Sequence, residues 1–293
     1  MTDAECVDLL RFALPRLGLR WEGFRRVRGQ VCKRIGRRLA ALGVPDAAGY
    51  RDFLGVHPEE WGALDGLCRV TVSRFFRDRA VWDWLRAEGL PAAARLARAG
   101  GEGAVQCWSA GCGAGEEPYG LSILWRIALA PAFPGLALRI LATDAGEDVL
   151  ERARRACYAP ASLREIPRDL VPVAFERRGA ELCLRDAFRE GVELVRADVR
   201  RDLPAGAFHL VLCRNLALTY FELDGQLRAL SAIAARLAPG GLLVVGGHER
   251  LPDEAGGFER CAGALPVYRR SGAGCGGRSG AGATLGAGAG DGR

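Results

Sequence analysis

Residues 107–119 read CWSAGCGAGEEPY. An apolar run ending at Ser109 passes into a turn with three glycines in five positions, Gly111, Gly113 and Gly115, and then into two adjacent carboxylates, Glu116 and Glu117. Glycine lets the backbone turn sharply and lets a ligand approach to contact distance. The predicted arrangement is a strand, a glycine turn and a helix whose first position is Pro118, a residue favoured there. A nucleotide diphosphate is disfavoured on two counts. No Gly-Lys-Ser/Thr ending follows the glycines, and two acids would repel a pyrophosphate at the helix start.

The pattern around this stretch sets the fold class. From about residue 104, short apolar runs alternate with helical stretches: AVQCWSA, LRILATD, VELVRAD, FHLVLCRN and GGLLVVGG, with helices from Pro118, near 146–156 and near 223–237. Such alternation predicts an α/β domain built on a parallel sheet with helices on both faces. Ligands of such sheets sit at the carboxyl ends of the strands. Residues 1–87 read instead as helical. In 24–42, Phe24, Val27, Val31, Ile35, Leu39 and Leu42 recur at spacings of three and four, which predicts one helix ending at Gly43. Further helices are predicted over 46–54 and 58–68. The chain thus divides into a helical segment (1–87), an α/β domain (88–270) interrupted by a small insertion (158–196), and a Gly/Ala-rich tail (271–293) too poor in large apolar residues to join a core.

Composition narrows the functions. No apolar run approaches the ~18 residues of a spanning helix, and the acidic start MTDAECVDLL is no signal peptide, so a cytoplasmic protein without direct membrane insertion is expected. Ten cysteines are dispersed with no CxxC pair, and the three histidines lie far apart, so no metal site is expected. Most of the cysteines read as small buried hydrophobes in a reducing compartment. Residues 1–87 hold 16 basic and 11 acidic residues and so carry +5 of the net +6. Within 25–38 there are seven basic residues and no acidic one; Arg26, Lys33 and Arg37 project opposite the apolar stripe, with Arg34 on its flank. That face could dock on an acidic surface. Aromatic residues are not interleaved with these cations, so no base-stacking platform for nucleic acid is expected.

Paired acids beside a glycine turn suit a ligand carrying an ammonium and a sulfonium, and S-adenosylmethionine is such a ligand. The next strand ends in Asp144, whose carboxylate could accept from both ribose hydroxyls, a role that suits NAD as well. Asp198, after VELVRA, could reach an adenine amino group.

WSAGCGAGEEPY, TVSRFFRD (71–78), LATDAGEDVLERAR (141–154), CRNLALTYF (213–221) and LAPGGLLVVGGHE (237–249), in this order, resemble the CheR family of chemoreceptor glutamate methyltransferases over roughly 24–268. The resemblance implies a Rossmann-like S-adenosylmethionine-dependent methyltransferase domain behind an all-helical N-terminal domain, with a small inserted subdomain. It also implies methylation of receptor glutamates and S-adenosylhomocysteine as product, by a monomer acting on the cytoplasmic helical bundle of a chemoreceptor or related signalling protein. Carried over by position, Ser73 and Arg77 line the cofactor and substrate pocket, beside the turn glycines Gly111 and Gly113. Glu117 holds the methionine ammonium, Asp144 the ribose, and Asp198 and Val199 flank the adenine. Cys213, Arg214 and Asn215 border the site, and Tyr220 faces the transferring methyl. Ser73 stands where the family has threonine, CRNLALTYF is one residue longer than the usual loop, and HER (248–250) replaces HSE. Catalytic roles fall to Arg77 and Tyr220, and substrate docking to Arg26, Lys33, Arg34 and Arg37. A glutamate acceptor is already ionised, with an ordinary pKa of about 4.3, so no general base is required. A methyltransferase for another substrate, or a cofactor-binding regulator without turnover, remains open at this point.

Overall fold

The computed structural model describes residues 1–71 and 73–271; Val72 and the tail from 272 onward, where the expected structureless segment falls, lie outside them. The chain opens with α1 (Asp3–Ala13), started by a capping box in which Thr2 and Glu5 exchange hydrogen bonds. Next come α2 (Trp21–Phe24) and α3 (Arg28–Leu42). The single helix expected over 24–42 is therefore broken at 25–27. Phe24 stacks edge-on against Tyr220 at 5.2 Å. A Cβ on Gly23 would lie 2.4 Å from the Thr219 carbonyl oxygen, so α2 is pressed against a distant segment. Val31, Ile35 and Leu39 keep the stripe buried along α3. Then follow α4 (Ala47–Val56), capped by Asp46, and α5 (Glu60–Cys68). Next are α6 (Arg79–Trp84) and α7 (Leu90–Ala99).

The α/β part runs β1 (Ala104–Ala110), α8 (Glu116–Leu124), β2 (Ala137–Asp144), α9 (Glu147–Arg155), β3 (Cys157–Tyr158), α10 (Val171–Ala174), β4 (Phe175–Arg178), β5 (Glu181–Leu184) and β6 (Val192–Arg196). It ends with β7 (Phe208–Cys213), α11 (Ala217–Tyr220), α12 (Leu223–Arg236), β8 (Leu237–Val245), β9 (Phe258–Arg260) and β10 (Val267–Arg270). The main sheet has the order β6-β2-β1-β7-β8-β10-β9, parallel through β8 and antiparallel in its last two strands. The strand order reverses between β1 and β7, and a crevice opens at their carboxyl ends. Side chains alternate between two cores, apart from an irregularity between Phe208 and Leu210. Val105 and Cys107, Leu210 and Leu212, and Leu242 and Val244 join the core shared with α6, α7 and α8. Trp108 and Ala110, Val211 and Cys213, and Leu243 and Val245 join the core shared with α12 and the N-terminal helices.

VELVR is the edge strand of the main sheet, paired with β2 from Ile140↔Val192 to Asp144↔Arg196, so the inserted unit ends before it and not at 196. The insertion carries a three-stranded antiparallel sheet, β3-β5-β4. Phe75 is clamped edge-on between Tyr158 and Phe175, which fixes this small sheet on the loop before α6. The cysteine reading needs correction. Cys6–Cys32 and Cys157–Cys183 are disulfides, joining α1 to α3 and β3 to β5. Both pairings are long-range, so cysteine spacing carries no sign of them. Cys68, Cys107, Cys112 and Cys213 are the buried thiols expected.

Candidate active site

The crevice has two lobes sharing Val70, Thr71, Gly111, Asp144 and Leu216. One lobe is walled by Phe24, Asp65, Cys68, Arg69, Ala197, Asp198, Val199, Arg200, Tyr220 and Phe221. The other is walled by Ser73, Arg74, Arg77, Gly113, Glu117, Arg214 and Asn215.

Helix α8 starts at Glu116 behind Gly115, and not at Pro118, so both acids fall in its first turn. They face different ways. Glu117 lines the second lobe, whereas Glu116 does not; the Ser73 hydroxyl and Arg152 act on Glu116 instead. Burial pushes both carboxyls above the ordinary range, for Glu117 in spite of Arg214 and Arg77 nearby. Gly111 sits at φ +74°, and a Cβ there would meet Leu216 Cδ2 at 2.7 Å.

Asp144 closes the tip of β2. Its Oδ2 accepts from the Gly113 N–H and its Oδ1 from the Gly146 N–H, each at 2.9 Å. Burial raises its pKa and these hydrogen bonds oppose the rise. Arg214 is buried at the tip of β7. Its Nη1 donates to Glu117 Oε1 at 2.7 Å, and its Nη2 to Asp78 Oδ2 at 2.7 Å and to the Arg77 carbonyl oxygen at 2.8 Å. The next residue, Asn215, is left-handed at φ +53°, as are Phe76 (+56°) and Asp78 (+64°) across the crevice. Such strain persists only where the surroundings over-determine the backbone. Here Glu249 supplies much of that restraint. Its carboxylate accepts from the Asn215 N–H at 2.9 Å, the Gly246 N–H at 2.5 Å and the Thr219 hydroxyl at 2.5 Å.

Most residues picked from the sequence therefore converge. Ser73, Arg77, Gly111, Gly113, Glu117, Asp144, Arg214 and Asn215 share one lobe, and Asp198, Val199 and Tyr220 wall the other. Cys213 does not line the crevice; its side chain is in the core and burial pushes its thiol to about 12. Tyr220 is half-buried on Phe24, and burial raises its phenol while the Arg77 charge acts against the rise. Arg26, Lys33 and Arg37 are exposed. Arg34 is not a free docking cation: it is turned inward, and its guanidinium donates to the Leu67 and Arg69 carbonyl oxygens. Asp65, Asp78, Arg200 and Glu249 were not assigned from sequence. Asp78 and Glu249 lie inside the quoted motifs, whereas Asp65 and Arg200 are brought together only by tertiary structure.

The family model of the CheR methyltransferase SAM-binding domain matches residues 71–265. The chain belongs to the CheR methyltransferase family. It is an S-adenosylmethionine-dependent methyltransferase with a Rossmann-like α/β fold. A chemotaxis protein methyltransferase of Listeria monocytogenes is 32% identical over 189 residues, covering 64% of this chain and 69% of that one. One from Salmonella typhimurium is 30% identical over 231 residues, 76% of each chain. An uncharacterized 104.1 kDa protein of Rhodobacter capsulatus is 31% identical over 223 residues, 76% of this chain but 23% of that much longer one. The crevice fits the CheR-family cofactor chemically. The Asp144 carboxylate at the tip of β2 suits hydroxyls, the Glu117 carboxylate in the first turn of α8 suits a cation, and Val70, Val199, Leu216 and Phe221 give apolar walls to a flat ring. Arg69 and Arg214 each keep a buried Nε–H with no partner among the described residues.

Proposed function

We propose that this protein methylates glutamate side-chain carboxylates of a chemoreceptor or a related signalling protein, giving methyl esters. The observation that carries the reading is the make-up of the second lobe. Arg77 shares it with Glu117, Asp144 and Arg214, and among the described residues lining it there is no histidine, cysteine, lysine or tyrosine. An alcohol or amine acceptor would need a base to remove its proton, and the carboxylates of the lobe, Glu117 and Asp144, would be taken up by the cofactor. An ionised carboxylate acceptor needs no base, and a cation at the lobe suits it.

S-Adenosylmethionine supplies an electrophilic methyl on a positively charged sulfur. Asp144 would take the ribose hydroxyls, Glu117 the ammonium, and Val199 with the walls of the first lobe the adenine. Arg214 holds Glu117 in place through its Oε1. Arg77 would orient the acceptor carboxylate by a charge-assisted hydrogen bond and shed its water. Catalysis then lies mainly in alignment, which can supply ~7–11 kcal/mol. Tyr220, which walls the first lobe, would face the transferring methyl from its edge. The exposed Arg26, Lys33 and Arg37 would steer an acidic helical bundle toward the crevice, an attraction that salt weakens.

Incubating the protein with methyl-labelled S-adenosylmethionine and a receptor cytoplasmic fragment tests the reading. Labelling of the fragment, lost when its acceptor glutamates become alanine, is the expected result. Label that persists on the alanine fragment would refute it.

A further inference from the structure

Four charged side chains meet where α5 reaches the tip of β6. Arg200 donates Nη1 and Nη2 to the two Asp65 oxygens at 2.8 and 2.7 Å. It donates Nε and Nη2 to the two Asp198 oxygens at 3.0 and 2.6 Å. Arg69 adds ion pairs to Asp65 at 3.2 Å and Asp198 at 3.9 Å, and its Nη1 donates to the Ala145 carbonyl oxygen at 2.6 Å. Both aspartate side chains are 15% exposed and Arg200 is 22% exposed. Burial is the largest single influence and raises both carboxyls, and the hydrogen bonds and charges of Arg200 and Arg69 together outweigh it and hold them below their ordinary values. Arg200 also lies 5.8 Å over the Phe221 ring.

Two walls of the first lobe are tied together chiefly by the Arg200 guanidinium, which grips both acids at hydrogen-bond distance, with Arg69 bridging the same acids more loosely. Asp65, Cys68, Arg69, Val70 and Thr71 come from the helical segment, and Ala197 to Arg200 from the end of β6. A planar fork can grip two carboxylates at once in a way that a lysine ammonium cannot.

We propose that Arg200 is a positioning residue that latches α5 and residues 68–71 over the nucleoside lobe, so that cofactor and product exchange only when its Asp65 arm lets go. The proposal rests on the reading of this lobe as the nucleoside site of the S-adenosylmethionine crevice. It adds a role for Asp198. Both oxygens of that carboxylate accept from Arg200, so Asp198 also shapes the lobe through Arg200.

Release of S-adenosylhomocysteine, followed by stopped-flow displacement, tests this in Asp65→Asn and Arg200→Lys. The first variant removes one arm and leaves the Arg200–Asp198 pair; the second removes the fork and keeps the charge. Each should release product roughly tenfold faster or more, the scale set by losing a hydrogen bond to a charged partner. The double variant should be no faster than the faster single one. Variants that melt at lower temperature yet release product at the wild-type rate would show a purely structural pair and overturn the proposal. Should a variant fail to fold, hydrogen exchange on the wild type decides: product should slow exchange of the amides over 65–71, and unchanged exchange overturns the latch. Wild type that binds no product overturns the cofactor reading as well, whereas normal binding with unaltered release in the variants overturns the latch alone.

Discussion

Asp144→Asn probes the tip of β2 with a change of one atom. Both carboxylate oxygens accept a glycine N–H at 2.9 Å, from Gly113 and from Gly146. Whichever way the amide sits, its NH2 faces one of those N–H groups. A buried donor left without a partner costs about 1–3 kcal/mol. Part of this is returned, because burial already pushes the Asp144 carboxyl up and a neutral amide escapes that desolvation. The net loss of fold stability should be no more than about 1–2 kcal/mol, with Tm moving ~2–4 °C per kcal/mol at this chain length. Cofactor binding should suffer more. The ribose hydroxyls lose a charged acceptor, and the Gly113 turn is no longer pinned. A loss of about 2–3 kcal/mol corresponds to roughly 30- to 150-fold weaker binding. Calorimetry with S-adenosylhomocysteine beside a thermal melt separates the two effects. Affinity within threefold of wild type, in a variant that melts normally, would remove Asp144 from the cofactor site.

Arg77→Ala should lower the methylation rate by about a hundredfold or more while product affinity stays within a few fold, as expected for an orienting contact; equal loss of both, by calorimetry and label transfer, would refute the role. Gly111→Ala should destabilise the fold by about 1–3 kcal/mol, because φ +74° is strained for a side chain and its Cβ would meet Leu216 at 2.7 Å; a thermal melt equal to wild type would contradict this. Glu117 and Asp144 have carboxyls raised by burial, so the folded protein without ligand holds those protons to higher pH than the unfolded chain does. Their contribution to stability is greatest at acid pH and is lost as pH rises through the folded values, whereas a cationic cofactor needs both ionised. S-Adenosylmethionine affinity should therefore weaken as pH falls, starting at a pH where free carboxylates are still ionised; a flat profile would exclude these acids as its partners. Charge reversal of Lys33 and Arg37 to Glu should slow receptor methylation and flatten its salt dependence, with product affinity unchanged.

The elements that read clearly in the sequence are those governed by local rules. The glycine turn at 111–115 needs left-handed backbone, and the alternation in FHLVLC assigns Leu210 and Leu212 to one core and Val211 and Cys213 to the other. Where tertiary contacts decide, local pattern falls short. The apolar period of 24–42 runs unbroken through a helix break at 25–27, because Phe24 packs on Tyr220 far along the chain. Arg34 has the spacing of a surface cation and yet donates to carbonyl oxygens at the C-terminal end of α5, those of Leu67 and Arg69. Glu116 and Glu117 are neighbours in sequence, but their positions in the first turn of α8 send only Glu117 into the crevice. Asp65 and Arg200 are 135 residues apart, and no motif joins them. The residues that bind follow the motifs, and the residues that brace them follow the packing.

The central claim is that an oxygen acid, and no other group, receives the methyl. Brief alkali treatment of the labelled receptor fragment, with collection of volatile methanol, measures this directly. An ester releases nearly all of its label within minutes. Label that stays on the protein through alkali would mean transfer to nitrogen, sulfur or an alcohol, and would contradict the account.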